Sequence, residues 1–179
     1  MEILFRPLTA DDLPLLHKWL QREHVRRWWG DEYGRLDAVV AHYLPAIEGA
    51  DPTDLYLILL DDAPRGYIET YLVVDHPEYE EHVQVGPGVA GVDLFIAEPH
   101  LVGRGLGPRI LQAFVRDVVF TRKGVDAVVA TPQVANEASV RSFEKAGFRR
   151  VRIVTDPEEP GPHQLMRLDR ASLGRWTSS

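Results

Sequence analysis

The chain has 179 residues, 45% of them hydrophobic, a formal charge of −7 and no cysteine. Length and apolar content suit one domain with a packed interior, and the lack of cysteine excludes disulfides, thiolate metal sites and a cysteine acyl-enzyme. The negative balance argues against a nucleic-acid surface, which needs clustered Lys and Arg; it suits a cationic partner or plain solubility equally.

Residues 3–8, "ILFRPL", read as an opening strand, and Thr9 with Asp12 three positions on reads as a capping box for the next segment. Leu13, Leu16 and Leu20, with Trp19 beside them, recur at helical spacing through about residue 21. "VRRWWGDEYG" breaks that pattern, and Leu36, Val39, Val40, Tyr43 and Leu44 predict a second helix stopped or kinked by Pro45. Antiparallel strands are predicted at about 55–60 and 66–74, joined by the turn-forming "DDAPR". The acidic stretch 75–88, with two prolines, reads as a loop.

"VAGVDLFIA", 89–97, reads as a buried strand interrupted by one carboxylate, Asp93, which needs a partner or a function there. "LVGRGLGPRI" follows, with Gly103, Gly105 and Gly107 at every second position ahead of a helix predicted over 106–120 with Pro108 in its first turn. Such a turn can present backbone N–H groups to an anion, and a phosphate is the first suspect. A short strand at 126–132, a helix capped by Asn136 and ended by Gly147, and two strands around "DPEEPGP" complete the chain. The order predicts a mixed α/β or α+β fold, with one domain over 1–170 and a tail over 171–179. Nothing approaches the ~18 apolar residues of a membrane span, and the start "MEILFRPLTADDL" has no signal-peptide pattern, which points to the cytoplasm. The seven histidines show no metal-ligand spacing.

Strand, "EPHLVGRGLG", helix, strand "VVATP" and "NEASVRSFEKAGF" together resemble the GNAT superfamily of acetyl-CoA-dependent N-acetyltransferases over most of the chain. The resemblance implies a central, mostly antiparallel sheet with splayed parallel strands and flanking helices. It also implies acetyl-CoA as cosubstrate, with its pyrophosphate on the backbone N–H groups of Gly103, Arg104, Gly105, Leu106 and Gly107. A Cβ at the glycines would hold the phosphate away. The pantetheine arm is expected to pair with backbone near Phe95, Ile96 and Ala97, with Asn136 beside it. Three positions depart from the superfamily's habits: Val102 stands for the usual Arg or Gln, Phe143 for the tyrosine that protonates the thiolate, and Thr131 for an acidic residue common in drug-modifying relatives.

"VRRWWGDE", "AHYLPAI", "RGYIETY" and "PGVAGVDLFIAEPHLVGRGLG" resemble, more narrowly, the aminoglycoside 6′-N-acetyltransferases. That resemblance implies aromatic walls from Trp28, Trp29, Tyr43 and Tyr71 around a cationic amine, which Glu69 and Asp93 hold, with Asp93 as the proton acceptor. The expected enzyme is a monomer or homodimer without metal, acting on a small amine and on neither nucleic acid nor membrane. Acetylation of a siderophore lysine-like intermediate or a protein amine, and a CoA-binding domain without catalysis, stay open as alternatives.

Overall fold

The computed structural model describes residues 1–155, 159 and 161–175. Among the described residues, seven strands and six α-helices follow in the order β1 (Ile3–Pro7), α1 (Leu13–Leu20), α2 (Glu23–Trp29), α3 (Leu36–Ile47), β2 (Thr53–Leu60), β3 (Ala63–Leu72), α4 (Pro77–Val83), β4 (Val89–Ile96), α5 (Leu106–Asp117), β5 (Ala127–Ala130), α6 (Glu137–Lys145), β6 (Arg149–Thr155) and β7 (Pro162–Asp169). The strands are hydrogen-bonded in the order β1-β2-β3-β4-β5-β7-β6. The parallel ladder joins β4 to β5, from Val89↔Ala127 to Gly91↔Val129. By contacts the chain forms two compact units, Met1–Thr70 with Asp93–Val102, and Tyr71–Val92 with Gly103–Ser179; β3 and β4 each continue from one into the other.

In the first unit β1 runs antiparallel to β2 from Ile3↔Leu60 to Pro7↔Tyr56. The capping box forms as predicted: the Thr9 backbone N–H donates to Asp12 Oδ2 at 2.9 Å, and Arg6 grips the same carboxylate from outside. Leu13, Leu16, Trp19 and Leu20 form one buried stripe of α1, packed with Val39, Tyr43, Leu57, Tyr67 and Phe95. Three expectations change here. "VRRWW" does not break the helical run but belongs to α2, a seven-residue helix that buries only Val25 fully, too short for a readable apolar period. Pro45 lies inside α3 rather than ending it; it comes within the last turn, where little helix remains to lose. The β2–β3 connection is two residues, Asp61 and Asp62, both left-handed at φ 48° and 62°, a conformation short acidic side chains tolerate. Ala63, Pro64 and Arg65 therefore belong to β3.

In the second unit β5 pairs antiparallel with β7, and β7 with β6, whose register shifts between Arg150 and Arg152. Val73, Val83, Val89, Ala127, Val129, Val154 and Leu165 form one of its buried clusters. The stretch 75–88, predicted as a loop, contains α4: Pro77 occupies the first helical turn, where its missing N–H is no loss. Residues 171–175 of the predicted tail continue a 3-10 helix begun at Arg170. Arg170 ties that helix down, donating to the carbonyls of Phe120, Arg122 and Val125 and lying 4.7 Å from the Phe120 ring. Most of "DPEEPGP" and residues 176–179 lie outside the described residues.

Candidate active site

In the first unit the candidate site residues are carried by β3 and β4. The period of two along β3 puts Tyr67 and Glu69 on one face, and the Tyr67 hydroxyl donates a hydrogen bond to Glu69 Oε2. Tyr67 is fully buried, held by Trp29 and Tyr43 edge-to-face and by Phe95 in a tilted stack, each with centroids 5.6 Å away. Phe95 in turn meets Trp29 at 5.1 Å and Trp19 at 6.3 Å. These rings form a rigid apolar floor, and the carboxylates of Glu69 and Asp93, both partly open to solvent, stand at its edge. Burial and the negative charges of Asp93 and Asp51 push the Glu69 carboxyl up to about 8, against the pull of the Tyr67 hydrogen bond. The same desolvation, with Glu69 and its acidic neighbours, drives Tyr67 and Tyr43 well above the ordinary phenol range. A concentration of negative charge that suppresses its own ionisation is relieved by a cation.

The aromatic walls expected from sequence sit differently. Tyr43 is only 2% exposed and is part of the floor. Trp29 packs on Tyr67 and Phe95, whereas Trp28, also half-buried, lies under the Arg27 guanidinium, 4.9 Å from its ring. The sequence reading missed Tyr67, Asp51 and His42. His42 stacks edge-on to Tyr43 at 4.7 Å and Tyr33 at 5.2 Å, and its burial holds the imidazole below its ordinary range although Asp51 and Glu32 pull the other way. Nothing in their spacing marks them: a loop acid, a helix histidine and a strand tyrosine meet only in the fold.

At the end of β4, the Ala97 N–H donates to Arg65 O at 2.8 Å, so odd positions of β4 face β3 and Ile96 faces the opposite edge. A Cβ on Gly66 would stand 2.4 Å from Phe95 O, so only glycine permits this strand contact. His24 donates through Nε2 to Ile96 O at 3.0 Å, and Arg22 donates to Ala97 O while pairing with Glu98 at 3.1 Å. Side chains from α2 and its N-cap thus already engage two carbonyls of the segment predicted to meet pantetheine. The Ile96 N–H lies on the edge of β4 opposite β3.

In the second unit the glycine turn opens α5. Gly103 and Gly105 have φ of +76° and +75°, with no atom within 4 Å of where a Cβ would be. Their glycines are needed for left-handed backbone, not for room inside the chain. Gly107 differs: it is helical, and a Cβ there would approach Ser142 Oγ of α6 to 3.0 Å, so it serves helix packing. Gly103, Arg104 and Gly105 are exposed, and Leu106 and Gly107 belong to the first turn of α5, whose N–H groups have no partner within the helix. Asn136 caps α6, its side chain accepting from Ser139 N at 3.2 Å. Phe143 is 3% exposed and packs edge-to-face on Phe148 at 5.1 Å, so it is core. Tyr71 covers Gly91, where a Cβ would come within 2.3 Å of its ring, and it meets His76 and Tyr79 edge-on. Tyr79 shares a hydrogen bond of 3.1 Å with Thr131. Among the described residues no group of His, Asp or Glu is placed to hold a metal ion, and no helix is long and apolar enough to cross a membrane.

Residues 9–156 match the acetyltransferase (GNAT) domain family. The chain is 32% identical over 165 residues to the aminoglycoside N(6′)-acetyltransferase type 1 of Klebsiella pneumoniae, spanning 91% of this chain and 82% of that one. The structure of AAC(6′)-Ib in complex with parmomycin and acetyl-CoA superposes with a TM-score of 0.89 at 32% identity, covering 100% of this chain and 99% of that one. AAC(6′)-Ib with coenzyme A and kanamycin gives 0.88 at 31% identity over 99% and 100% of the two chains. A seven-stranded sheet with a parallel β4/β5 pair, a glycine turn opening α5 and a match over most of the length all agree: the chain belongs to the acetyltransferase (GNAT) family, and it is an acetyl-CoA-dependent N-acetyltransferase.

Proposed function

We propose that the chain transfers the acetyl group of acetyl-CoA to the 6′-amine of an aminoglycoside, in the cytoplasm that supplies the cosubstrate. The observation that carries the reading is the gathering of Asp93, Glu69 and Asp51 beside a buried aromatic floor, a site that favours an acceptor bearing several ammonium groups. The amine attacks the thioester carbonyl only after losing its proton. Asp93, directly or through one water, accepts that proton and holds the acceptor, while Ile96 N–H stabilises the oxyanion that forms as the C–N bond is made. The C–S bond then breaks and the thiolate leaves. Phe143 cannot protonate it, so the proton comes from water or from the amine itself.

In the reading we propose, backbone at Phe95, Ile96 and Ala97 meets the pantetheine arm, and the amides of Gly103, Arg104, Gly105, Leu106 and Gly107 take the pyrophosphate, with Asn136 near the arm. Trp28, Trp29, Tyr43 and Tyr71 are the aromatic residues proposed to meet the acceptor. The test is release of free CoA thiol with kanamycin and ribostamycin as acceptors, and NMR of the product to locate the acetyl group. Asp93→Asn keeps shape and removes charge. It is expected to lower kcat/KM for the acceptor by roughly 100-fold or more, the size of a positioned general base, while acetyl-CoA affinity stays unchanged. Transfer to lysine-like or peptide amines in place of aminoglycosides overturns the substrate assignment, and full activity of Asp93→Asn overturns its role.

A further inference from the structure

We propose that Tyr67 is a positioning residue for acceptor capture: its buried hydroxyl holds Glu69 Oε2 at the aromatic floor and thereby turns the other carboxylate oxygen toward the incoming ammonium. This rests on the acceptor site described above and deepens it.

Three observations carry it. Tyr67 is 0% exposed, and its ring is fixed on three sides by Trp29, Tyr43 and Phe95, so its hydroxyl has one direction in which to point. It points at Glu69, two residues along the same strand face. Glu69 itself is a flexible side chain that would otherwise lose rotamer freedom on binding a cation; with one oxygen anchored, that ordering is complete before the acceptor arrives. Among the described residues, the charged and titratable groups acting on Glu69 are Asp93 from β4, Asp51 ahead of β2, and the Tyr67 and Tyr43 phenols; of these, the Tyr67 hydrogen bond favours the ionised carboxylate. Tyr67 thus has a second effect. It favours the ionised Glu69 carboxylate in a neighbourhood that opposes its charge, so the hydroxyl helps set the pH at which Glu69 joins Asp93 and Asp51 as an anion.

The experiment compares wild type, Tyr67→Phe, Glu69→Gln and the double variant, with kanamycin as acceptor, across pH 6 to 9 (roughly the window in which a carboxyl so raised titrates). Phenylalanine refills the ring's place, and circular dichroism confirms the fold. Tyr67→Phe is expected to raise the acceptor KM about tenfold near pH 8, the scale of one hydrogen bond to a charged group, with kcat nearly unchanged. The ascending limb of kcat/KM moves to higher pH. Glu69→Gln removes that limb, and adding Tyr67→Phe to it costs nothing further, because Tyr67 acts through Glu69. A purely structural tyrosine instead leaves the limb in place and adds its full loss to the Glu69→Gln variant, which overturns the proposal. Carboxyl carbon-13 NMR of Glu69 reads the same link without turnover, its titration midpoint rising in Tyr67→Phe. An enzyme inactive on aminoglycosides with that shift present refutes the substrate and keeps the positioning role; an unmoved midpoint refutes the positioning role whatever the activity.

Discussion

The two units build their chemistry from different materials. In Met1–Thr70 with Asp93–Val102, side chains from separated elements converge: Asp51 ahead of β2, Tyr67 and Glu69 on β3, Asp93 on β4, with the floor completed from α2 and α3. In Tyr71–Val92 with Gly103–Ser179, the groups proposed to act are main-chain N–H groups in one contiguous turn, and the side chains described around it pack or cap. The difference has a direct consequence for substitution. Where side chains carry the chemistry, removing a charge or a hydroxyl changes function while the backbone stands. Where backbone carries it, most side chains are replaceable, and the sensitive positions are those whose φ only glycine adopts comfortably.

The largest expected effect follows from that rule. Gly105 is exposed, with no neighbour within 4 Å of a Cβ, yet its φ is +75°. Gly105→Val meets no steric obstacle from the rest of the chain but forces a β-branched residue into left-handed backbone, a strain of at least ~1–2 kcal/mol that the turn relieves by changing shape. Isothermal calorimetry is expected to detect no acetyl-CoA binding, while near-native circular dichroism shows the fold retained. Asp93→Asn in the other unit is the complement, with cosubstrate affinity intact and acceptor turnover lost. Tight acetyl-CoA binding by Gly105→Val would break the comparison at its strongest point.

The same contrast explains what could be read from sequence. The glycine turn, the capping box of Thr9 and Asp12, and the α5 stripe were legible because their physics is local: spacing of a few residues fixes φ, a hydrogen bond or a buried face. Asp93 stands out in the sequence because a carboxylate in an apolar strand contradicts its surroundings, and the fold sets it near Glu69. Tyr67, Asp51 and His42 do not stand out, since each is unremarkable among its own neighbours and gains meaning only from residues far along the chain. Helices α2 and α4 escaped for a related reason. Each spans seven residues and buries a single valine fully, so there is no period to detect.

A smaller effect concerns pH and stability, and it sets two carboxylates of the first unit against each other. Glu69 titrates near 8 in the folded chain, against an ordinary 4.5. The folded state keeps a proton that the unfolded state loses, so stability falls as pH climbs through that window and levels off above it. Asp12 has the opposite sign. Burial pushes it up, but the Arg6 fork and the Thr9 N–H and hydroxyl outweigh this and hold it below its ordinary range, so its contribution is present above that range and is lost on acidification. Urea denaturation at pH 5 and pH 9 should show Glu69→Gln gaining on wild type as pH rises, and Asp12→Asn losing stability at both values. A pH-independent Glu69→Gln difference would mean that Glu69 is solvated as an ordinary surface carboxylate.

The smallest effect is on turnover, and it tests whether the second unit's side chains are as replaceable as the comparison requires. Phe143 is 3% exposed, packed against Phe148, and carries no group able to give or take a proton. Phe143→Leu exchanges one apolar side chain for a slightly smaller one in a closed environment, which is expected to cost about 1 kcal/mol of stability. Turnover should stay within about twofold, because no interaction made only in the transition state is removed. The two readings separate cleanly when kcat is measured well below the melting temperature, so that the fraction folded is unchanged. A kcat loss of tenfold or more in a fully folded Phe143→Leu variant would place α6 side chains in the chemistry and dissolve the division between a unit that acts through its backbone and one that acts through converging side chains.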